Sequence, residues 1–306
     1  MTDHFYPIGT PGRKWGEAEL AAWRTRQVKH RSYDQDVVPR IEALSHAGFE
    51  KIAYGALDYK GDHYDLLALR SRDFDPALPA ALVTGGVHGY ETSGVLGALE
   101  FLEKHGPDYA GRVNLLVVPC VSPWGYERIN RWNYDAIDPN RNFRPDGPAR
   151  ECTALIELVR TVDLPFLLHI DLHETTDTDE SEFRPAKQSR DGETFEPGLI
   201  PDGFYLVADS ANPQIAFQKA IIAAVETSTH IAPPDANNEI IGSPVVTHGV
   251  IEYPLGELGI SGSITNANYV TTTEVYPDSP RTSPRECIEA QVVAVRAALD
   301  YALMHR

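Results

Sequence analysis

Three short apolar runs constrain the fold of this chain more than any other feature: AALVTGGV at 80–87, RVNLLVVPCV at 112–121 and LPFLLHIDLH at 164–173. A strand with one wet face alternates apolar and polar residues. These runs read instead as short strands buried within a sheet. Between them, TSGVLGALEFLEKHG (92–106, ended by Gly106) and ARECTALIELVRTV (149–162) read as helices. The alternation resumes with GFYLVADS (203–210) as a strand and PQIAFQKAIIAAVETST (213–229) as a helix. HGVIEYP (248–254) and NYVTTTEVY (268–276) are the last strands. A final helix starts at Pro284, with Ser283 as N-cap. Strand-helix alternation predicts an α/β fold: one domain over 1–306, with a mixed, mostly parallel twisted sheet and helices on both faces.

The N-terminal part, about 1–75, is expected to pack on that domain. It reads as a helix over 15–28, another within 33–46, and a hairpin of KIAYGALDY and YDLLALRS turning at Gly61-Asp62. Residues 174–202 are polar and rich in Pro, Gly and acid, and read as a loop.

Composition excludes several functions. The net charge is -17, which argues against nucleic acid and anionic membrane surfaces. No run of about 18 apolar residues is present, and the start of the chain lacks a basic segment followed by an apolar one. The three cysteines, Cys120, Cys152 and Cys287, form no CxxC, so neither disulfides nor a thiolate metal site is expected. The reading is a cytoplasmic protein.

Polar residues concentrate where the apolar runs end. Ligands of such sheets bind beyond the carboxyl ends of the strands. His88 follows the first run, and Glu91 lies one turn on, near the start of a helix. Residues at i and i+3 of one turn face the same point, and imidazole with carboxylate suits zinc. A catalytic zinc needs a third protein ligand, and His173 ends another buried strand at the same sheet edge. His169 and Asp171 share its side of the strand by the two-residue period. His169 reads as a hydrogen-bonded core histidine, and Asp171 as a group that orients a ligand or caps a neighbouring backbone. The segment SPWGYERINRWNYDAIDPNRNF (122–143) begins where the second run ends. It carries three arginines and four asparagines, and arginine forks bind carboxylates and polarise carbonyls.

The ordered set of HxxE, an SP-x-G segment, DPNRNF, a strand-end histidine and a C-terminal strand glutamate resembles the M14 zinc carboxypeptidase family. It runs from His88 to Glu274, most of the chain. The resemblance implies one zinc per chain held by His88, Glu91 and His173, with Asp138 behind His88. It implies Glu274 as general base, with Glu252 as rival. Arg131 would polarise the scissile carbonyl, with Arg128 as competitor. Asn140 and Arg141 would hold the substrate's terminal carboxylate, and Tyr253 stands nearest to the family's substrate-clamping tyrosine. SGSIT resembles the stretch lining the family's specificity pocket; if Ile264 lies in that pocket, it would favour an apolar side chain. The DLH at 171–173 is closer to the related succinylglutamate desuccinylase and aspartoacylase group than to the digestive carboxypeptidases.

Three functions follow as expectations. The first is a carboxypeptidase acting on short or modified peptides, favoured because only one helix follows Glu274. The second is an amidohydrolase of N-acyl amino acids. The third is a metal-binding module without catalysis. The acids of ETTDTDESE (174–182) read as a solvated loop, an acidic rim for cationic substrates, or a second metal site.

Overall fold

The computed structural model describes residues 6–306. Residues 1–5, where the leader reading begins, lie outside the described residues. The helices are α1 (Glu17–Arg26), α2 (Tyr33–Asp36), α3 (Val38–His46), α4 (Thr92–Lys104), α5 (Pro123–Arg128), α6 (Arg150–Arg160), α7 (Arg184–Asp191), α8 (Ile215–Val225), α9 (Leu255–Leu258) and α10 (Pro284–Met304). The strands are β1 (Phe49–Tyr59), β2 (Asp62–Ser71), β3 (Ala80–Gly85), β4 (Asn114–Val118), β5 (Phe166–Glu174), β6 (Tyr205–Asp209), β7 (Glu239–Ile240), β8 (Ser243–Pro244), β9 (Val250–Tyr253) and β10 (Tyr269–Val275).

Eight strands form one sheet in the order β1-β2-β4-β3-β5-β10-β6-β9, while β7 and β8 make a separate short ribbon. The three apolar runs supply β4, β3 and β5, and these pair in parallel at its centre. β10 continues the parallel block beside β5. The β1–β2 hairpin joins antiparallel to β4 on one side, and β6 joins antiparallel to β10 on the other. The mixed α/β architecture expected from the alternation is therefore present.

Successive residues of a strand point to opposite faces, and two cores divide accordingly. Val83, Val117, Leu168, Ile170 and Leu172 belong to the core that also holds residues of α3, α4, α8 and α10. Leu82, Leu116, Val118, Val207 and Val270 belong to the core shared with α6. The same period puts Thr84, His169, Asp171, His173, Thr272 and Glu274 on the α6 face. A polar row on the upper half of central strands is thus set by strand register alone.

Several local readings change. Residues 33–46 break at Val37 into α2 and α3, with Pro39 in the first turn of α3, where its missing N–H costs no hydrogen bond. The hairpin turns at Lys60-Gly61, with Gly61 at φ +87°, and Asp62 already belongs to β2. Gly106 opens a 3-10 turn instead of closing α4. Residues 174–202 are not a simple loop: a π-helical turn over Asp179–Phe183 runs into α7. That segment shows little apolar periodicity, because Phe183, Pro185, Ala186 and Ser189 suffice to bury one side.

The turn carrying His88 is pressed onto the start of α5. Arg31 ties the two together, donating from Nη2 to Gly89 O at 2.6 Å, from Nη1 to Thr92 Oγ1 at 2.7 Å and from Nε to Tyr126 O at 2.6 Å. A Cβ on Gly89 would sit 1.9 Å from Gly125 C and 2.0 Å from Tyr126 N, which is backbone and cannot swing away. Gly89→Ala is expected to cost about 3 kcal/mol, the upper range of overpacking. Thermal unfolding should show Tm lower by roughly 6 °C. A change under about 1 °C would mean that the turn has room to move.

Candidate metal centre and cleft

β3 ends at Gly85, and the following turn carries His88 to the top of the sheet. Glu91 stands at the N-cap position of α4. His173 arrives on β5, the neighbour of β3. All three are buried and, among the described residues, form the one cluster of His, Cys, Asp or Glu side chains whose donor atoms converge as a metal requires. The two imidazoles present the same atom. His88 Nδ1 lies 2.7 Å from Glu91 Oε1, and His173 Nδ1 lies 2.9 Å from Glu91 Oε2.

The far nitrogens are backed by carboxylates. His88 Nε2 meets Asp138 Oδ1 at 2.9 Å, and His173 Nε2 meets Asp171 Oδ2 at 2.6 Å. With the Nε2 protons held by these carboxylates, a cation that replaces the protons shared with Glu91 would meet the Nδ1 atoms in the tautomer a metal ligand needs. Asp171 is itself held by Thr84, whose hydroxyl donates to Oδ1 at 2.5 Å and lies 3.1 Å from His169 Nε2. Burial pushes the His169 imidazole down to about 4, so it is neutral and plays the core role read from the sequence.

The electrostatics suit a cation. Burial pulls the His173 imidazole down, but Asp171 and Glu91 outweigh it and hold its pKa well above the usual value. Burial raises the Glu91 and Asp138 carboxyls, yet His173 and His88 hold Glu91 below its ordinary value. Arg131 and His88 likewise hold Asp138 well below its own. Glu91 Oε2 is buried without an aligned hydrogen-bond donor. With Oε1 facing both Nδ1 atoms, at 2.7 Å from His88 and 3.1 Å from His173, the spare Oε2 leaves this donor set fit to take a metal cation.

A cavity of about 810 Å³ opens over this cluster. Glu274 lines it. Its position follows from register: β10 pairs with β5 so that Glu274 stands opposite His173. Burial pushes the Glu274 carboxyl up to about 7, and Oε2 accepts from Thr175 Oγ1 at 2.9 Å. Glu252 pairs with Ala208, which belongs to the other core, so it faces away from the cavity.

Arg131 lines the cavity, donating from Nε to Asp138 Oδ2 at 3.1 Å and from Nη1 to Asp179 Oδ1 at 3.1 Å. Arg128 is elsewhere, bound to Asp62 and Tyr64 and stacked on Trp124. Asn140 and Arg141 both line the cavity. Asn140 Oδ1 accepts from Ser261 N at 2.9 Å, and its Nδ2 lies 3.4 Å from His173 Nε2. Arg141 is exposed, and its one hydrogen bond among the described residues goes to Asn140 O at 2.7 Å. Tyr253 lines the same cavity beside Ile260 and Val207, whereas Ile264 does not.

The acids of 174–182 are each engaged by a protein partner. Asp177 accepts from the Tyr276 hydroxyl, Glu182 from the Tyr6 hydroxyl, Glu180 pairs with Arg184, and Glu174 accepts from Ser93 N. Asp179 is buried and holds both Arg131 and the Tyr90 hydroxyl. The sequence reading missed Asp179 and Tyr90. The available signal was an acidic residue soon after a strand-end histidine, with an unpaired arginine upstream.

Comparisons with known proteins bear on the fold. A family described as a protein of unknown function, DUF2817, matches residues 56–158, which include HxxE and DPNRNF but neither His173 nor Glu274. No curated protein matches by sequence. A Shewanella amazonensis protein assigned as a metallopeptidase superposes with a TM-score of 0.64 at 21% identity, covering 88% of this chain and 92% of that one. A metallo-carboxypeptidase from Burkholderia cenocepacia gives 0.58 at 14% identity, covering 96% and 70%. Bovine thrombin-activatable fibrinolysis inhibitor, solved with tick carboxypeptidase inhibitor, gives 0.59 at 15%, covering 92% and 99%. Over nearly its whole described length, the chain has the fold of the metallo-carboxypeptidases.

Proposed function

We propose that this chain is a zinc-dependent hydrolase that cleaves an amide bond next to a free carboxylate, acting as a cytoplasmic carboxypeptidase on short or modified peptides. The observation that carries the reading is the β5–β10 register, which sets Glu274, a residue lining the cavity, opposite His173. His88, Glu91 and His173 would hold one zinc ion. When bound, it would polarise the scissile carbonyl and lower the pKa of a water molecule.

The protein's own groups divide the remaining work. Asp138 and Asp171 keep the Nε2 protons in place and the Nδ1 lone pairs inward. Glu274 takes a proton from the attacking water and delivers it to the leaving amine as the C–N bond breaks. A carboxyl held near pH 7 is matched to both directions of that transfer. Arg131 faces the carbonyl oxygen as negative charge develops on it. Arg141, whose Nε and Nη2 have no hydrogen-bond partner among the described residues, and Asn140 receive the carboxylate of the residue to be released. Tyr253 closes over that residue. An amidohydrolase of N-acyl amino acids would use the same residues, and a blocked dipeptide assayed beside an acyl amino acid separates the two. Loss of turnover on both would favour the metal-binding module.

Glu274→Gln has two expected signatures. Turnover should fall by roughly 10²–10⁴, the usual contribution of a general base. The second signature is stability in the metal-free protein. The folded-state pKa of about 7 lies above the ordinary 4.5, so the folded chain keeps a proton that the unfolded chain releases. Wild-type stability should therefore fall as pH rises between those values. Chemical denaturation at pH 8 should find the variant more stable by about 2 kcal/mol, less than the full shift because the group is partly open to solvent. The two proteins should match near pH 4. Equal stability at both pH values would remove the buried-base assignment.

Substrate amidation tests the other end of the cleft. Blocking the released residue's carboxylate should lower kcat/KM on the order of 100-fold, about 2.7 kcal/mol. Arg141→Met should abolish that preference. Equal cleavage of acid and amide by the wild-type protein would rule out the exopeptidase reading.

A further inference from the structure

The cavity has two unlike ends. Residues 140–144 dock on the 257–261 turn through Ser261 N to Asn140 Oδ1, Phe143 N to Gly259 O and an Arg144 contact with Glu257 O. Arg141 therefore marks the end where the released residue sits, beside Tyr253 and Ile260. Arg131, placed at the scissile carbonyl, is anchored by Asp138 through Nε and by Asp179, in the turn that leads into α7, through Nη1. A substrate whose carboxylate meets Arg141 runs past Arg131 toward α7.

That end is walled by the chain's own N-terminal segment. Residues 6–16 are fastened to α7 and to the π-helical turn before it. Trp15 N donates to Arg190 O at 2.9 Å, and Trp15 Nε1 donates to Ser189 Oγ at 3.2 Å. The Ser189 hydroxyl donates to Ile8 O at 2.7 Å, and the Tyr6 hydroxyl donates to Glu182 Oε1 at 2.6 Å. Tyr6 stacks on Trp15, Trp15 meets Trp132 edge-on, and Arg190 lies over Trp132 while donating to Ala136 O. Lys14, Trp15, Phe183 and Lys187 line the cavity from this wall. The strap, α7 and the 132–136 loop thus form one interlocked surface across the path of a longer chain.

Building on the proposed hydrolase reading, we propose that the strap of residues 6–16, locked to α7, sets the substrate length, admitting about one residue or acyl group on the N-terminal side of the scissile bond. A wall pinned by four hydrogen bonds and aromatic packing does not yield to a peptide without losing those contacts. Apolar Val207, Ile241 and Ile260 at the other end accept an apolar released residue, so phenylalanine is a suitable leaving residue for the test.

The experiment uses acetyl-Ala-Phe and the same peptide lengthened at its N-terminal side by one, three and five alanines. The zinc-loaded wild-type protein should lose at least about tenfold in kcat/KM from the shortest to the longest peptide, while buried-wall opening should relieve it. Two opened forms are compared: Tyr6→Phe with Ser189→Ala, which removes fastenings that do not line the cavity, and a chain lacking residues 1–14. In either form the ratio of long to short cleavage should narrow to within about threefold, with circular dichroism and zinc content showing an intact fold. Wild-type cleavage of all lengths alike would overturn the length limit and leave the hydrolase reading standing. So would an opened, folded form that keeps the wild-type ratio. Failure of the zinc-loaded protein to cut any member would bring down the hydrolase reading and the length limit together.

Discussion

Everything in the cleft depends on one arrangement: a buried carboxylate, Glu91, between the Nδ1 atoms of two buried imidazoles, His88 and His173. Three ionisable groups withdrawn from water are costly unless each is paired. The fold pairs them from behind, with Asp138 on one imidazole and Asp171 on the other. Those carboxylates are in turn held by Arg131 and Asn140 N, and by Thr84. The result is a chain of charge-assisted contacts that fixes the donor atoms in place. Rigid support of this kind is what separates a metal site from a chance cluster of ligating side chains.

Arg131 links this centre to the rest of the cleft. One side of its guanidinium holds Asp138, behind His88, and the other holds Asp179, in the π-helical turn before α7. The α7 wall of the cavity is thereby tied to the carboxylate behind His88. A substrate that displaces α7 would disturb Arg131, and through it the orientation of His88. Under the proposed length limit, that side chain would couple substrate length to the orientation of His88.

Much of the site could be read from the chain because it sits on regular structure. His173 and Glu274 lie on strands, where a two-residue period and the parallel pairing of β5 with β10 determine which atoms meet. The same logic resolves Glu274 from Glu252, whose partner Ala208 belongs to the opposite core. Arg131 and Arg128 could not be resolved by spacing, because the left-handed residue Ile129, at φ 51°, redirects the chain between them. That turn sends Arg128 to Asp62 and Arg131 to Asp138. Residues 174–202 were the least legible. Their helix has few apolar positions, and its partners, Tyr6 and Trp15, come from more than 160 residues away in the chain. Long-range partners of this sort leave little local pattern. The apolar wall residue near SGSIT is Ile260, which precedes the 3-10 turn over Ser261–Ile264, and Ile264 does not line the cavity.

The central claim is that the buried His–Glu–His cluster is a zinc site. Crystals grown with zinc, measured on both sides of the zinc absorption edge, test it directly. The account predicts one anomalous peak per chain, bounded by His88 Nδ1, the Glu91 carboxylate and His173 Nδ1, and lost in His173→Ala crystals. A zinc peak among the acids of 177–182, or no peak between the two imidazoles at saturating zinc, would contradict it.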